Sequence, residues 1–294
     1  MIRLISWITS ITLIALVIGC LSNDTKPHSK RAPQEHKKFT GRSIEIFVGS
    51  ASKPATEQAV ELFQQQTGAK VVLHFGGSGR MLAQIKLLQR GDLYFPGSSD
   101  YMELAKREGL VIAESQQPIV YLIPAINVPK GNPKNIRTMS DLARPGVRVG
   151  IARPDAVCVG LYAVEVMTQA GLAEAIQPNI TTQAESCEKV AQLVALNSID
   201  AVLGWSVFQY WEPGKIETVL LPPEQVSRIG FIPIAKTPFV EDDEVAQAFI
   251  DFLVSDEGKE IYRSWHYLTD VEKARAFALP DTPVGGEWTL PEGW

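Results

Sequence analysis

Successive strand–loop–helix units with almost nothing between them constrain this chain more than any other feature. "IEIFV", from Ile44, is a short apolar strand. "KPATEQAVELFQQQTG" is a helix with Ala55, Ala59, Val60, Leu62 and Phe63 as its apolar positions and Gly68 closing it. "KVVLHF" is a second strand and "SGRMLAQIKLLQRG" a second helix, with Met81, Leu82, Ile85 and Leu88 on one face and Gly91 as its stop. "DLYF" and "SSDYMELAKREG" make a third unit, whose helix opens on serine, serine and aspartate. Short β-α repeats predict a parallel sheet covered by helices, hence an α/β fold.

The pattern then changes. "QPIVYLIPAINVPKG" is longer than one domain's strand needs, and it leads through "MSDLARPGVRVGIARPD" into a crossover to a second domain. There, "VGLYAVEVMTQAGL" and "AESCEKVAQLVALNSI" read as helices and "DAVLGW" as a strand. "VSRIGFIPIAKT" is a second long β-rich run, and the helix pair after it, "DDEVAQAFIDFLVSDEGKEIYRSW", belongs with the first part. Two crossing segments predict two α/β lobes on a two-strand hinge: residues 43–122 and 233–270 form the first, 123–232 the second. Residues 271–294, rich in Pro, Gly and Trp, have no clear period and no assignable role.

Ahead of this body, residues 1–19 carry one charge, Arg3, before an apolar run ending Val17-Ile18-Gly19-Cys20. The run is long enough to span a membrane, but a small residue before a cysteine, followed by a polar segment, resembles the bacterial lipobox. That implies a cleaved signal peptide, a lipidated Cys20 and a place in the periplasm or cell envelope. Leu21 is not the aspartate of the inner-membrane retention signal. Residues 20–42 hold six basic residues against two acidic ones without apolar periodicity, and read as a flexible tether. Loss of Arg3 with the leader moves the formal net charge from −5 to −6. So acidic a body is a poor nucleic-acid binder. Of the three cysteines, the two outside the lipobox, Cys158 and Cys187, form an even pair in an oxidising compartment and predict a disulfide.

Ligands of open α/β sheets bind in crevices beyond the strand C-termini. Two loops there carry serines: "VGSASKP", with Ser50, Ala51 and Ser52, and "FGGSGRM", with Ser78 and Arg80. Both put hydroxyls and glycine amides at a helix start, where free N–H groups and the helix dipole favour an anion. A single serine would be an ordinary N-cap; two such loops in successive units face one crevice. In the second lobe, "RPDAVCVGLYAVEVM" presents the amides around Val159 and Gly160 from the opposite side, with Trp205, Tyr210 and Phe231 as candidate walls. Catalytic motifs are missing. "GGSGR" has Arg80 where a nucleophile elbow has glycine, no phosphate-binding P-loop ending is present, and His28, His36, His74 and His266 have no metal-ligand spacing.

The stretches "IEIFVGSASKPATEQAVELFQQQTGAKVVLHFGGSGRMLAQI", "VGLYAVEVM" and "AFIDFLVSDEGKEIY" resemble the periplasmic molybdate-binding proteins of ABC importers, and with them the tungstate and sulfate binders of the type II solute-binding fold. The resemblance implies a monomeric receptor without enzymatic activity, cofactor or resident metal, which delivers a small oxyanion to an inner-membrane permease. It also implies a tetrahedral oxyanion, molybdate or tungstate, held by Ser50 or Ser52, by Ser78, and by backbone groups near Val159 and Gly204. Ala51 and Arg80 are further possible contacts. Phe231 stands where one branch has a tyrosine, which removes a hydroxyl donor. Asp155 lies where an archaeal branch places a carboxylate on a metal-centred anion, but it has no glutamate partner here and reads as solvated or capping. A receptor for sulfate, or for an organic or amino-acid solute using Arg80, Arg153 and Asp155, stays open beside this reading. A surface-anchored enzyme and a structural lipoprotein are the more distant alternatives.

Overall fold

The computed structural model describes residues 37–294; the leader, Cys20 and most of the tether lie outside them. The first unit is β1 (Ser43–Gly49) and α1 (Lys53–Thr67). α1 has Pro54 in its first turn and ends at Gly68, whose φ of 76° is the left-handed conformation that closes helices. β2 (Lys70–Gly76) leads to α2 (Ser78–Leu88), and β3 (Leu93–Phe95) to α3 (Ser99–Arg107). The long β-rich run divides at Ile123 into β4 (Gln117–Leu122) and β5 (Pro124–Pro129), which pair in different sheets.

The second half continues with β6 (Val149–Ala152), α4 (Cys158–Gln169), α5 (Ala173–Ile176), β7 (Ile180–Ala184), α6 (Cys187–Ala195), β8 (Ala201–Trp205), α7 (Phe208–Trp211) and β9 (Ile216–Leu220). The chain returns through β10 (Gly230–Lys236) to α8 (Asp243–Val254), α9 (Asp256–Ser264) and the short α10 (Val271–Arg275). Strands β7 and β9 are additions to the sequence reading. Both are edge strands with partly polar faces, so neither carries a strong apolar signal.

Each sheet has five strands, in the orders β2-β1-β3-β10-β4 and β7-β6-β8-β5-β9. β1 runs parallel to β2 and β3, and β6 parallel to β7 and β8; the strands arriving from the opposite lobe's side of the chain, β10 and β5, are antiparallel to their neighbours. This is the two-lobed type II architecture with two crossing segments. The core is not divided evenly at the cleft. Val157, Cys158, Val159, Tyr162, Cys187, Val190 and Trp205 of the second lobe are buried in one cluster with Ile46, Val48, Ala51 and Met81 of the first. Apolar burial of this kind is what holds two lobes shut.

Two segments read as peripheral are part of the fold. From Lys37 on, the supposed tether is folded: Phe39 is buried, its N–H donates to the Thr67 carbonyl, and Arg42 pairs with Asp242 and Glu244. The Phe39 ring and the Arg42 ion pairs together dock the end of the basic run. The C-terminal tail packs Ala274, Phe277, Val284 and Trp288 on the second lobe's core.

Candidate functional site

The C-terminal ends of β1, β2 and β3 aim three loops at the cleft, and those of β6, β7 and β8 aim three back from the other lobe. The first-lobe loops approach one another closely because glycines line them. A methyl group on Gly49 would come within 2.5 Å of the Gly97 amide nitrogen and 2.7 Å of Ser78 Oγ; one on Gly97 would meet Cys158 Sγ at 2.5 Å. Across the cleft, the Gly79 N–H donates to the Ala156 carbonyl at 3.0 Å and Lys53 pairs with Glu188 at 2.9 Å. The lobes are closed on each other.

Within this closure the serines behave differently from helix caps. Ser52 Oγ is engaged with Thr56 Oγ1 at 2.9 Å, which in turn meets the Tyr262 hydroxyl at 3.1 Å. Ser50 Oγ is buried and has no partner, although its loop is fixed by the Tyr267 hydroxyl donating to the Ala51 carbonyl. Ser78 Oγ accepts from the Gly97 N–H at 2.9 Å, which leaves its own hydroxyl proton free to donate elsewhere. Ser98 occupies the N-cap position of α3 without making the cap bond, and its Oγ is buried and unpartnered. So are the Tyr162 hydroxyl and Trp205 Nε1, whose rings meet edge to face at 4.9 Å. Each of these four groups can donate a hydrogen bond, and buried donors ordinarily find acceptors. Ser98 and Tyr162 had a signal in the sequence, the doubled serine opening the third helix and the tyrosine one turn beyond Cys158, but it was not distinctive.

Cys158 and Cys187 depart from expectation. They are free, fully buried thiols whose sulfurs lie 3.8 Å apart, well beyond the roughly 2.05 Å of a disulfide. Each opens its helix, α4 and α6, so the two helix starts present their side chains to each other instead of bridging them. Burial, then the neighbouring Cys187, pushes the Cys158 thiol well up and keeps it protonated, against weaker opposing bonds from Ser78 and the Val159 amide. Val159 itself is buried at the start of α4, beside that sulfur.

Other candidates are placed elsewhere. Gly204 lies in mid-sheet opposite Ala125, and a side chain there would strike Phe208 and Asn127 within 2.7 Å. Its glycine serves packing. Phe231 packs on Tyr121 and under the tail turn at Gly285. Asp155 is ion-paired with Arg153 at 2.6 Å, which holds its carboxyl below the usual range, and it lines a shallow cavity with Tyr101 and Trp288. Arg80 is exposed at the rim of a cavity of about 220 Å³ with Ser50, Glu185, Glu188 and Lys189. Tyr210 stacks on His266 at the surface. Among the described residues, no three His, Cys, Asp or Glu side chains gather into a metal-binding group.

A second buried polar group also spans the lobes. Arg228, on the crossing segment before β10, donates to Glu165 of α4 at 2.7–3.0 Å and to Asp100 of α3 at 3.0 Å. It also donates to the carbonyls of Gly285 and Gly286 in the tail, at 3.4 and 2.9 Å. The tail reaches the same helix through Ser99 Oγ donating to the Gly286 carbonyl, the Trp288 N–H donating to Asp100, and the Arg107–Glu287 ion pair.

A family model described as bacterial extracellular solute-binding protein matches residues 44–268. A putative binding protein of Haemophilus influenzae is 25% identical over 226 residues, covering 76% of this chain and 89% of the relative. The molybdate-binding protein of Rhodobacter capsulatus is 25% identical over 245 residues, covering 78% and 89% respectively. The solved structure of the periplasmic molybdate-binding protein of Azotobacter vinelandii superposes with a TM-score of 0.68 at 20% identity, covering 77% of this chain and 99% of that one. Sulfate-binding proteins are also among the matches.

Proposed function

The chain belongs to the bacterial extracellular solute-binding protein family, and from that premise we propose that its cleft captures a tetrahedral oxyanion, molybdate or tungstate, for delivery to a membrane permease. One observation carries this reading. Four buried donors have no acceptor: Ser50 Oγ and Ser98 Oγ in the loops after β1 and β3, and the Tyr162 hydroxyl and Trp205 Nε1 on α4 and β8, whose rings lie in the core cluster shared by the two lobes. Helix starts at Ser78, Ser99, Cys158 and Cys187 add positive potential to the same region. Molybdate, tungstate and sulfate only accept hydrogen bonds at neutral pH, so neutral donors suffice for them. Monohydrogen phosphate brings a donor of its own, and an unmatched buried hydroxyl costs about 1–3 kcal/mol. Cys20 would anchor the receptor to the envelope by its lipid.

Calorimetry with molybdate, tungstate, sulfate and phosphate tests the reading; no binding to any of them would end it. Ser78→Ala should weaken oxyanion binding by about 1–3 kcal/mol, the range for a hydrogen bond to a charged group. Unchanged affinity would confine Ser78 to holding the Gly97 loop. A second reading, an organic solute with an anionic group, draws support from the cavity beside Ser50, where Arg80 has no ion-pair partner among the described residues. Binding of a carboxylated ligand that is lost in Arg80→Ala would favour it.

A further inference from the structure

We propose that Tyr267 is a positioning residue for the turn that carries Ser50, and that it couples this turn to closure of the lobes through Trp211. The inference rests on the oxyanion reading above and adds to it a residue that acts through the turn, not on the anion.

The end of α9 sets Tyr267 in place. The His266 N–H donates to the Arg263 carbonyl at 2.8 Å and the Tyr267 N–H to the Tyr262 carbonyl at 3.0 Å, the paired bonds of a Schellman close. Such a close needs one left-handed residue, and His266 takes that conformation at φ 62°, where glycine is the usual choice. The chain thereby folds Tyr267 back beside Tyr262, ring edge to face at 5.8 Å, and leaves it 2% exposed. Burial pushes its hydroxyl well above the ordinary tyrosine range, so the proton stays available to donate. It goes to the Ala51 carbonyl at 2.8 Å.

Ala51 is the middle of the three-residue turn Ser50–Ser52. Tyr262 holds the Ser52 side chain through Thr56, and Tyr267 holds the Ala51 carbonyl. Ser50 Oγ is left as the hydroxyl of the turn without a partner. A phenylalanine would fill the same space if packing were the whole role of Tyr267.

The Tyr267 hydroxyl also accepts. Trp211 Nε1, on α7 beyond β8 of the second sheet, donates to it at 3.1 Å, and the neighbouring Tyr210 stacks on His266 with ring centroids 3.7 Å apart. Leu268, next in the chain, bridges to Tyr121 of β4 in the first sheet. Consecutive residues of the second lobe thus clasp consecutive residues of the first. A hydroxyl that accepts a hydrogen bond donates a stronger one, because each bond polarises the next. With the lobes shut, Trp211 reinforces the hold of Tyr267 on Ala51. When they part, the indole leaves with α7 and the hold weakens. Ser50 is therefore fixed most firmly in the closed form, and a donor fixed in advance contributes affinity by lowering the cost of ordering it.

The test is a double-mutant cycle on the full chain, with calorimetry for molybdate affinity and a chase of labelled molybdate for release. Tyr267→Phe should lower affinity about tenfold, mainly through faster release. In the Ser50→Ala background the same change should have almost no further effect, because the donor it positions is gone. Trp211→Phe should speed release about threefold in the otherwise unmodified protein and add nothing to Tyr267→Phe. Full additivity of Tyr267→Phe with Ser50→Ala, or wild-type affinity in Tyr267→Phe, overturns the positioning role and leaves the oxyanion reading intact. Failure of molybdate, tungstate, sulfate and phosphate to bind the unmodified protein overturns the two together. Should Tyr267→Phe not fold, the cycle of Trp211→Phe with Ser50→Ala decides by the same criterion.

Discussion

Two buried polar groups sit between the lobes, and they differ in completeness. Around Arg228 each guanidinium nitrogen has an acceptor, in Glu165, Asp100, Gly285 or Gly286. Around Ser50, Ser98, Tyr162 and Trp205 the donors have none. Folding pairs every guanidinium nitrogen of the first, though it leaves Asp100 Oδ2 without a partner; on our reading a ligand pairs the second. One cluster is a structural rivet and the other, on our reading, a receptor, although both are equally removed from water.

Breaking the rivet should have the largest effect. Arg228→Ala leaves the carboxylates of Glu165 and Asp100 buried without their cation, and unfolding in denaturant should reveal a loss of about 3–5 kcal/mol. The receptor side should respond with the opposite profile. Ser50→Ala should cost about 1–3 kcal/mol of oxyanion affinity by calorimetry, while the ligand-free protein keeps or slightly gains stability, because an unsatisfied buried hydroxyl has been removed. Equal loss of stability in both variants would erase the distinction. The smallest effect belongs to Asp155→Asn. Its ion pair with Arg153 is exposed and outside the donor cluster, so oxyanion affinity should stay within about twofold of wild type. A larger change would draw the boundary of the site further out.

The loops of the candidate site were easier to foresee from the sequence than the rivet. Glycines and serines recur at the ends of successive strands, a local pattern, and the loops at Ser50 and Ser78 follow from it. Which of Ser50 and Ser52 keeps an unengaged hydroxyl did not, since it depends on Thr56 and on Tyr262, far along the chain. Gly204 and Phe231 were assigned by position along a resemblance, while their neighbours in space, Phe208 and the tail turn at Gly285, decide what they touch. Arg228 lies in a β-rich run with partners 63 and 128 residues away, and no periodicity announces such a meeting. The cysteine pair was found, but counting thiols said nothing of the helix starts that hold them side by side.

The tail that packs on the second lobe also grips α3 of the first, through Gly286, Trp288 and Glu287. Parting the lobes must therefore either release those three grips or peel the tail from its apolar bed. Residues 277–294, which lie beyond the matched family segment, thus tie the two lobes together outside the cleft, so that any change in lobe orientation has to be taken up at Gly286, Glu287 and Trp288.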